Sequence, residues 1–315
     1  MESQLSPEYG EEPELVYLIA DALRRTGRPA EALRLAGAVE PRARRSGDRR
    51  LLLRCVNLTG MASFETGAMA DSEGCFSEML NLSGEWEDFE FAARACNNLG
   101  VLGYLRGRID LALTYYQRAL ASYDRMGYVR GLAQTHYNLG MAYRELYRFD
   151  EADSHYRNAI RLAEQSGSED VTALAESDRG LLFVDMGDPQ LGGAFAQRAR
   201  ERFQRIGDPV REAEAMRVLA LAAQASGGIA DALDLFDQAL QVARAHSNPL
   251  LHGDVQRDRA IALAAAGRVD ESQAALAEAA EQFQGMGATA LAERVEALRA
   301  RFASPDVNAE SRLPS

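Results

Sequence analysis

Amide, arginine and aromatic side chains recur at helical spacing in the first half of the chain. Residues three or four apart lie on one side of a helix, and such stripes cover 54–64, 94–104 and 134–144. An asparagine amide can bond both the N–H and the C=O of an extended chain, and arginine and tyrosine are frequent interface anchors. These stripes therefore indicate peptide recognition. The predicted partner-binding residues are Arg54, Asn57, Arg94, Asn97, Asn98, Tyr104, Gln134, Tyr137, Asn138, Met141 and Arg144.

The same side chains could instead form the solvated faces of helices. Asparagine is a mediocre helix former, so its recurrence within predicted helices favours a role in binding. The equivalent positions of the second half are acidic or mixed. These are Asp178, Asp185, Glu214, Arg217, Asp254, Arg257 and Asp258. That half could hold a basic segment, but we expect it to be scaffold.

The sequence lacks the residue patterns that usually carry catalysis or hold a metal. The four histidines have no metal-ligand spacing, and the three cysteines form no CxxC pair. Phosphate-binding glycine loops, the GxSxG elbow and HExxH are absent from the sequence. We therefore expect a protein that is not an enzyme and that uses no cofactor and no metal.

Charge and hydropathy limit the classes of partner. The net charge is −12, whereas nucleic-acid binding usually needs a basic face. No apolar run approaches the roughly 18 residues of a membrane span, and the chain opens without a charged and apolar leader. The expectation is a cytoplasmic protein with neither a nucleic acid nor a membrane as partner.

A strict 40-residue period organises the chain and must position these side chains. Glycine stands at 27, 67, 107, 187, 227 and 267, as expected just after a helix end. A column of Gly or Ala at 20, 60, 100, 140, 180, 220 and 260 indicates close helix packing, and large side chains at 76, 116, 156, 236 and 276 would fill the space beside it. The period predicts seven two-helix units, with the third at 88–106 and 108–126.

The ends and turns of the array carry their own signals. Asp188-Pro189, Asp208-Pro209 and Asn248-Pro249 each predict an N-cap followed by proline at the first helical position. Gly192-Gly193 should weaken the helix that contains it. We predict a flexible N-terminus (1–12), one domain of seven repeats (13–292), a capping helix (288–302) and a disordered tail (303–315).

The repeat unit resembles the tetratricopeptide repeat. Its best stretch is Asn97-Asn98-Leu99-Gly100 followed by Gly107 to Leu120, and Tyr137 to Gly140 with Tyr156 and Ala159 is similar. A 40-residue unit is similar to the subgroup of kinesin light chains, Pins-like adaptors and many bacterial signalling proteins. The resemblance implies an all-α, right-handed α-solenoid superhelix whose groove holds a partner peptide. It also implies that Asn98 and Asn138 reach the ligand backbone.

The resulting expectation is a protein–protein interaction scaffold or adaptor that binds a partner peptide or protein segment in its concave groove. Two alternatives stay open. One is a regulatory or sensor module, peptide-responsive or not, that controls a separate enzyme or transcription factor. The other is a scaffold that assembles with itself into a homo-oligomer.

Overall fold

A computed structural model describes residues 12–286 and 288–303 of the chain. Apart from Glu12 and Ala303, the predicted flexible N-terminus and C-terminal tail lie outside the described residues. No helix within the described ranges is both long and apolar enough to span a lipid bilayer.

All regular structure in the described residues is α-helical, which confirms the predicted fold class. The fifteen helices found there are α1 (Pro13–Arg25), α2 (Pro29–Ser46), α3 (Arg49–Glu65), α4 (Met69–Glu85), α5 (Phe89–Leu105), α6 (Ile109–Met126), α7 (Val129–Glu145), α8 (Phe149–Gln165), α9 (Glu169–Asp185), α10 (Pro189–Ile206), α11 (Pro209–Ala225), α12 (Ile229–Ala245), α13 (Pro249–Ala265), α14 (Val269–Gly285) and α15 (Thr289–Ala303).

The helix boundaries repeat every 40 residues, from the start of α3 at Arg49 to the start of α15 at Thr289. The predicted third unit corresponds to α5 and α6. The helices fall into two compact units, which divide between Leu146 and Tyr147. The first unit contains α1 to α7 and the second contains α8 to α15. Within each unit consecutive helices pack side by side, as in an α-solenoid of tetratricopeptide type. The right-handed superhelix and the single domain over 13–292 stay predictions.

Short turns join the helices, and each turn from α1 to α14 uses one residue in the left-handed backbone region. Glycine occupies most of these positions, including Gly27, with φ 78°, and Gly107, with φ 71°. Glu87, Tyr147 and Ser247 adopt φ values of 54°, 58° and 48° at equivalent positions. The repeat therefore imposes the left-handed conformation even where the side chain disfavours it.

The predicted N-caps form as expected. Asp188, Asp208 and Asn248 each accept a hydrogen bond at 3.0 Å from the backbone N–H three residues further on. The following proline occupies the first turn in all three helices. These caps satisfy N–H groups that a helix start leaves without an intrahelical partner.

The small-residue column brings paired helices close together, as the sequence indicated. A Cβ added to Gly60 would lie 2.7 Å from the ring of Phe76, and one added to Gly100 would collide with Tyr116. The side chains of Phe76 and Tyr116 are 3% and 2% exposed. Each ring therefore lies directly on the bare backbone of its partner helix.

The fifth repeat packs in a different way. Ala196 takes the position of the aromatic residue, and Gly180 and Gly192 face each other across α9 and α10. An added Cβ on Gly180 would lie 2.8 Å from the carbonyl oxygen of Gly192, and one on Gly192 would lie 2.7 Å from that of Gly180. Helix α10 nevertheless runs unbroken through Gly193. Because Gly180 and Gly192 both lack a side chain, the backbones of α9 and α10 can come into contact here.

Helix α15 covers the end of the second unit. Its residues Ala292 and Val295 are 4% and 1% exposed, and they pack into the core formed by α11 to α14. This helix spans the residues of the predicted capping helix, and it packs against an apolar face of α14.

We expect Ser247→Gly to raise the free energy of unfolding by about 1 kcal/mol, because a non-glycine residue in the left-handed region costs about that much. Glu87→Gly should act in the same direction. Thermal and denaturant unfolding followed by circular dichroism measures both. Gly107→Ala is the matched control and should destabilise by a similar amount. A Ser247→Gly variant no more stable than the parent would contradict this account of the turns.

Candidate functional site

Asparagine side chains link the first helices of neighbouring repeats in the first unit. Asn98 Nδ2 on α5 donates to Asn57 Oδ1 on α3 at 3.4 Å, and Asn138 Nδ2 on α7 donates to Asn97 Oδ1 at 2.9 Å. Both pairs are 41 residues apart. We call such a contact between positions n and n+41 of neighbouring repeats a rung.

The sequence predicted that these asparagine amides bond a ligand. In the structure, the rungs already use some of their hydrogen-bond donors and acceptors. Asn138 is 5% exposed, and its Oδ1 also accepts a hydrogen bond from Gln134 at 3.3 Å. Asn57 and Asn98 are half-buried, and their mutual bond is long. Asn98 is therefore better placed than Asn138 to meet a ligand backbone.

Two neighbouring pockets open on these helices. The larger, polar pocket has a volume of about 400 Å³, and the smaller, apolar pocket has a volume of about 260 Å³. Met61 and Asn98 line both and form their shared wall. The polar pocket is lined by Asn57, Met61, Arg94, Asn97, Asn98, Tyr123, Tyr128, Arg130, Gly131 and Gln134. The apolar pocket is lined by Met61, Phe64, Glu65, Phe76, Asn98, Val101 and Leu102.

The end of the polar pocket is built by residues that sequence reasoning missed. Tyr123 and Tyr128 pack with ring centroids 5.5 Å apart, and a Cβ on Gly131 would lie 2.7 Å from Tyr123 and 2.6 Å from Tyr128. Four other repeats carry an apolar residue at this position, namely Leu51, Phe91, Val171 and Leu251. The missing side chain at 131 was the available signal, but position 131 lies outside the predicted stripe at 134–144.

The lining of the polar pocket is rich in hydrogen-bond donors and contains no carboxylate. Arg94 lies in the lining, and its Nη2 pairs with Glu90 on the same helix at 2.8 Å. Burial raises the pKa of the Tyr123 phenol, although the nearby positive charge of Arg94 opposes that shift. Tyr123 is therefore a neutral hydroxyl at physiological pH.

The remaining predicted site residues lie outside both pockets. Arg54 pairs with Glu14 and covers the ring of Tyr17 at 4.0 Å. Tyr104 packs against the core around Tyr116, and Tyr137 is 9% exposed. Met141 and Arg144 are half-buried on α7. Of the eleven predicted residues, the polar pocket brings together Asn57, Arg94, Asn97, Asn98 and Gln134.

The cysteines have the properties of core residues. Cys55 and Cys96 are buried and Cys75 is half-buried. Burial raises the pKa of the Cys55 thiol to about 12 and that of Cys75 to about 11, so neither forms a reactive thiolate at neutral pH. No cluster of His, Cys, Asp and Glu suited to a metal occurs within the described ranges.

In the second unit an ion pair occupies a rung. Arg217 on α11 contacts Asp258 on α13, again 41 residues away. Arg257 Nε pairs with the other oxygen of Asp258 at 2.8 Å, and Arg257 Nη1 pairs with Asp254 at 2.8 Å. The charges of these four side chains therefore neutralise one another.

The energetics of this rung follow from its burial, since the Asp258 side chain is 6% exposed. Burial alone would raise the pKa of the Asp258 carboxyl. The positive charges of Arg217 and Arg257 outweigh that effect and hold this pKa below its ordinary value of 3.8. The ionised pair thus stabilises the folded state above that pH, and its contribution is lost as the pH falls through the lowered pKa.

We expect Arg217→Ala to lower the free energy of unfolding at neutral pH by about 3–5 kcal/mol, because it leaves a buried carboxylate without its main partner. The double variant Arg217→Met with Asp258→Leu should recover most of the loss. Urea unfolding measures both. The parent should also lose more stability than Asp258→Asn on acidification below the ordinary carboxyl pKa. Equal loss in the single and double variants would contradict a buried ion pair.

Comparison with known proteins bears on the fold. A family model described as "Tetratricopeptide repeat" matches residues 91–165 and 171–245. Among curated protein sequences, none matches the chain. Several solved structures are similar to it.

Three of these structures show the range of the likeness. The Rap conjugation gene regulator of plasmid pLS20, solved with the Phr* peptide, is 14% identical with a TM-score of 0.72, over 92% of this chain and 81% of that one. The quorum sensor NprR from B. thuringiensis, in its apo form, is 14% identical with a TM-score of 0.60, over 94% and 90%. BtubC (BKLC) from P. vanneervenii is 20% identical with a TM-score of 0.55, over 76% and 94%.

Identities this low establish the fold alone. Together with the helical hairpins, the small-residue column and the match of the repeat family's model to residues 91–165 and 171–245, they show a fold of tetratricopeptide-repeat type.

Proposed function

We propose that this chain is a protein-interaction module, rather than an enzyme, and that its first unit binds an extended peptide segment of a partner. The observation that carries the proposal is the pair of adjoining pockets that share Met61 and Asn98 as a wall. A segment lying across that wall would place one side chain in each pocket.

The two pockets differ in chemistry. Phe64, Phe76, Val101 and Leu102 make the smaller pocket suitable for an apolar side chain. The larger pocket offers amides, guanidinium groups and tyrosine hydroxyls, which suit backbone carbonyls and polar or acidic side chains. Asn98 at the shared wall would bond the backbone between the two side chains.

The solved relatives support a peptide ligand. The Rap conjugation gene regulator is bound to the Phr* peptide in its structure, and a further Rap protein was solved in complex with Competence and Sporulation Factor. By analogy, the second form of the proposal is a regulatory module that responds to a peptide and controls a separate protein. The 40-residue period and the likeness to BtubC (BKLC) favour the adaptor form, of kinesin-light-chain type. Both forms use the same site.

The test is to select peptides from a random displayed library on the full chain and to measure the affinity of the best binder by calorimetry. Asn98→Ala removes the bond to the ligand backbone, and Val101→Trp fills the apolar pocket. We expect each to weaken binding at least about tenfold while the melting temperature stays near that of the parent. Asn81→Ala, at an exposed asparagine of α4 in the same unit, is the matched control and should bind as the parent does.

Binding that survives both pocket variants would remove the proposal, as would a library that returns no binder. Light scattering tests the remaining alternative, which is assembly of the chain with itself into a homo-oligomer. If the chain associates in a concentration-dependent manner and Val101→Trp abolishes that association, the pockets belong to a second copy of the chain.

A further inference from the structure

A separate polar pocket lies in the second unit, among α12, α13 and α14. Its volume is about 350 Å³, within the range of roughly 300–1,000 Å³ that is typical of small-molecule sites. Its lining consists of Asp237, Leu240, Gln241, Arg244, Gln256, Arg259 and Glu278. None of these residues takes part in the proposed peptide site.

A buried amide with an unused acceptor lies in this pocket. Gln256 is 3% exposed, and its Nε2 donates to Glu278 Oε2. Its Oε1 accepts no hydrogen bond from any described residue. The same helix position is apolar at Val16, Val56 and Met216, whereas two other repeats carry His136 and Glu176 there. An unsatisfied buried acceptor lowers the stability of the folded state by about 1–3 kcal/mol. A ligand that donates a hydrogen bond to Gln256 Oε1 would remove that penalty.

Charges of both signs surround that acceptor. Arg259 Nε pairs with Asp237 Oδ1 at 2.7 Å. Arg244 Nη2 lies 3.6 Å from Glu278 Oε2, which is beyond hydrogen-bond distance. The Arg244 side chain is 58% exposed and can therefore take a stronger partner. The lining of the pocket thus combines guanidinium groups and carboxylates with the unsatisfied acceptor of Gln256.

These groups match a ligand that carries both charges close together. A simple anion would meet Asp237 and Glu278, and a simple cation would meet Arg244 and Arg259. A zwitterion can satisfy both sets at once through charge-assisted hydrogen bonds. The buried Leu240 adds an apolar surface for a ligand side chain.

We propose that this pocket binds a free α-amino acid. The ammonium group donates to Gln256 Oε1 and to Glu278, the carboxylate bonds the guanidinium of Arg244, and the side chain lies over Leu240. The site is distinct from the peptide site of the first unit, so the two proposals can fail independently.

The test is thermal unfolding and calorimetry of the full chain with a panel of free L-amino acids at millimolar concentration. We expect at least one to raise the melting temperature, since a ligand that binds only the folded state stabilises it. The N-acetyl derivative and the methyl ester of that amino acid each lack one charge and should give no shift.

Gln256→Val installs the residue found at Val56, so it should fold and lose the response. Glu278→Gln, a second variant, should weaken binding at least about tenfold. Gln197→Val, at an exposed glutamine of α10, is the control and should respond as the parent does.

Three results would each overturn the proposal. They are no shift of the melting temperature with any amino acid, equal shifts with the blocked derivatives, and an undiminished response in Gln256→Val. A Gln256→Val variant that is merely more stable, beside a parent with no response, would identify a site for water only.

Discussion

The left-handed turn residue that recurs every twenty positions is the constraint on which the described structure depends. It ends one helix and starts the next within three residues, so helices α2 to α14 each have 17 or 18 residues. Equal lengths keep the packing columns aligned, which is why glycine in one helix meets a ring of the next, as Gly60 meets Phe76. The strength of this constraint is clearest at Tyr147, where a bulky side chain, 82% exposed, adopts φ 58°.

The same register determines which polar side chains can meet. Neighbouring first helices are displaced by one repeat, and residues 41 apart come within hydrogen-bond distance in both units. At that position the first unit carries amides, which keep some exposed capacity, and the second carries Arg217 and Asp258, which neutralise each other. One geometry thus yields partly exposed amide pairs in one unit and a neutralised ion pair in the other.

Local rules made most of the fold predictable. Turn glycines, Asp-Pro caps and small-residue columns act within one or two helices, so the helices and their order follow from the sequence. The candidate site was harder to predict from the sequence than the fold. The pairing of Asn97 with Asn138 depends on the offset between helices of different repeats, which periodicity within one helix does not reveal. The end of the polar pocket was missed because Tyr123 and Tyr128 come from a second helix and a turn, and because the decisive feature at Gly131 is an absent side chain.

The separation of packing columns from rungs has a consequence for how such a chain tolerates genetic change. Gain or loss of one residue inside a helix turns every later side chain of that helix by about 100°, which would remove a ring such as Tyr116 from its glycine and a rung residue from its neighbour together. Duplication or deletion of a whole 40-residue segment keeps both registers intact. Length variation in this architecture should therefore come in complete modules, while new binding preferences arise by point substitution at the rungs.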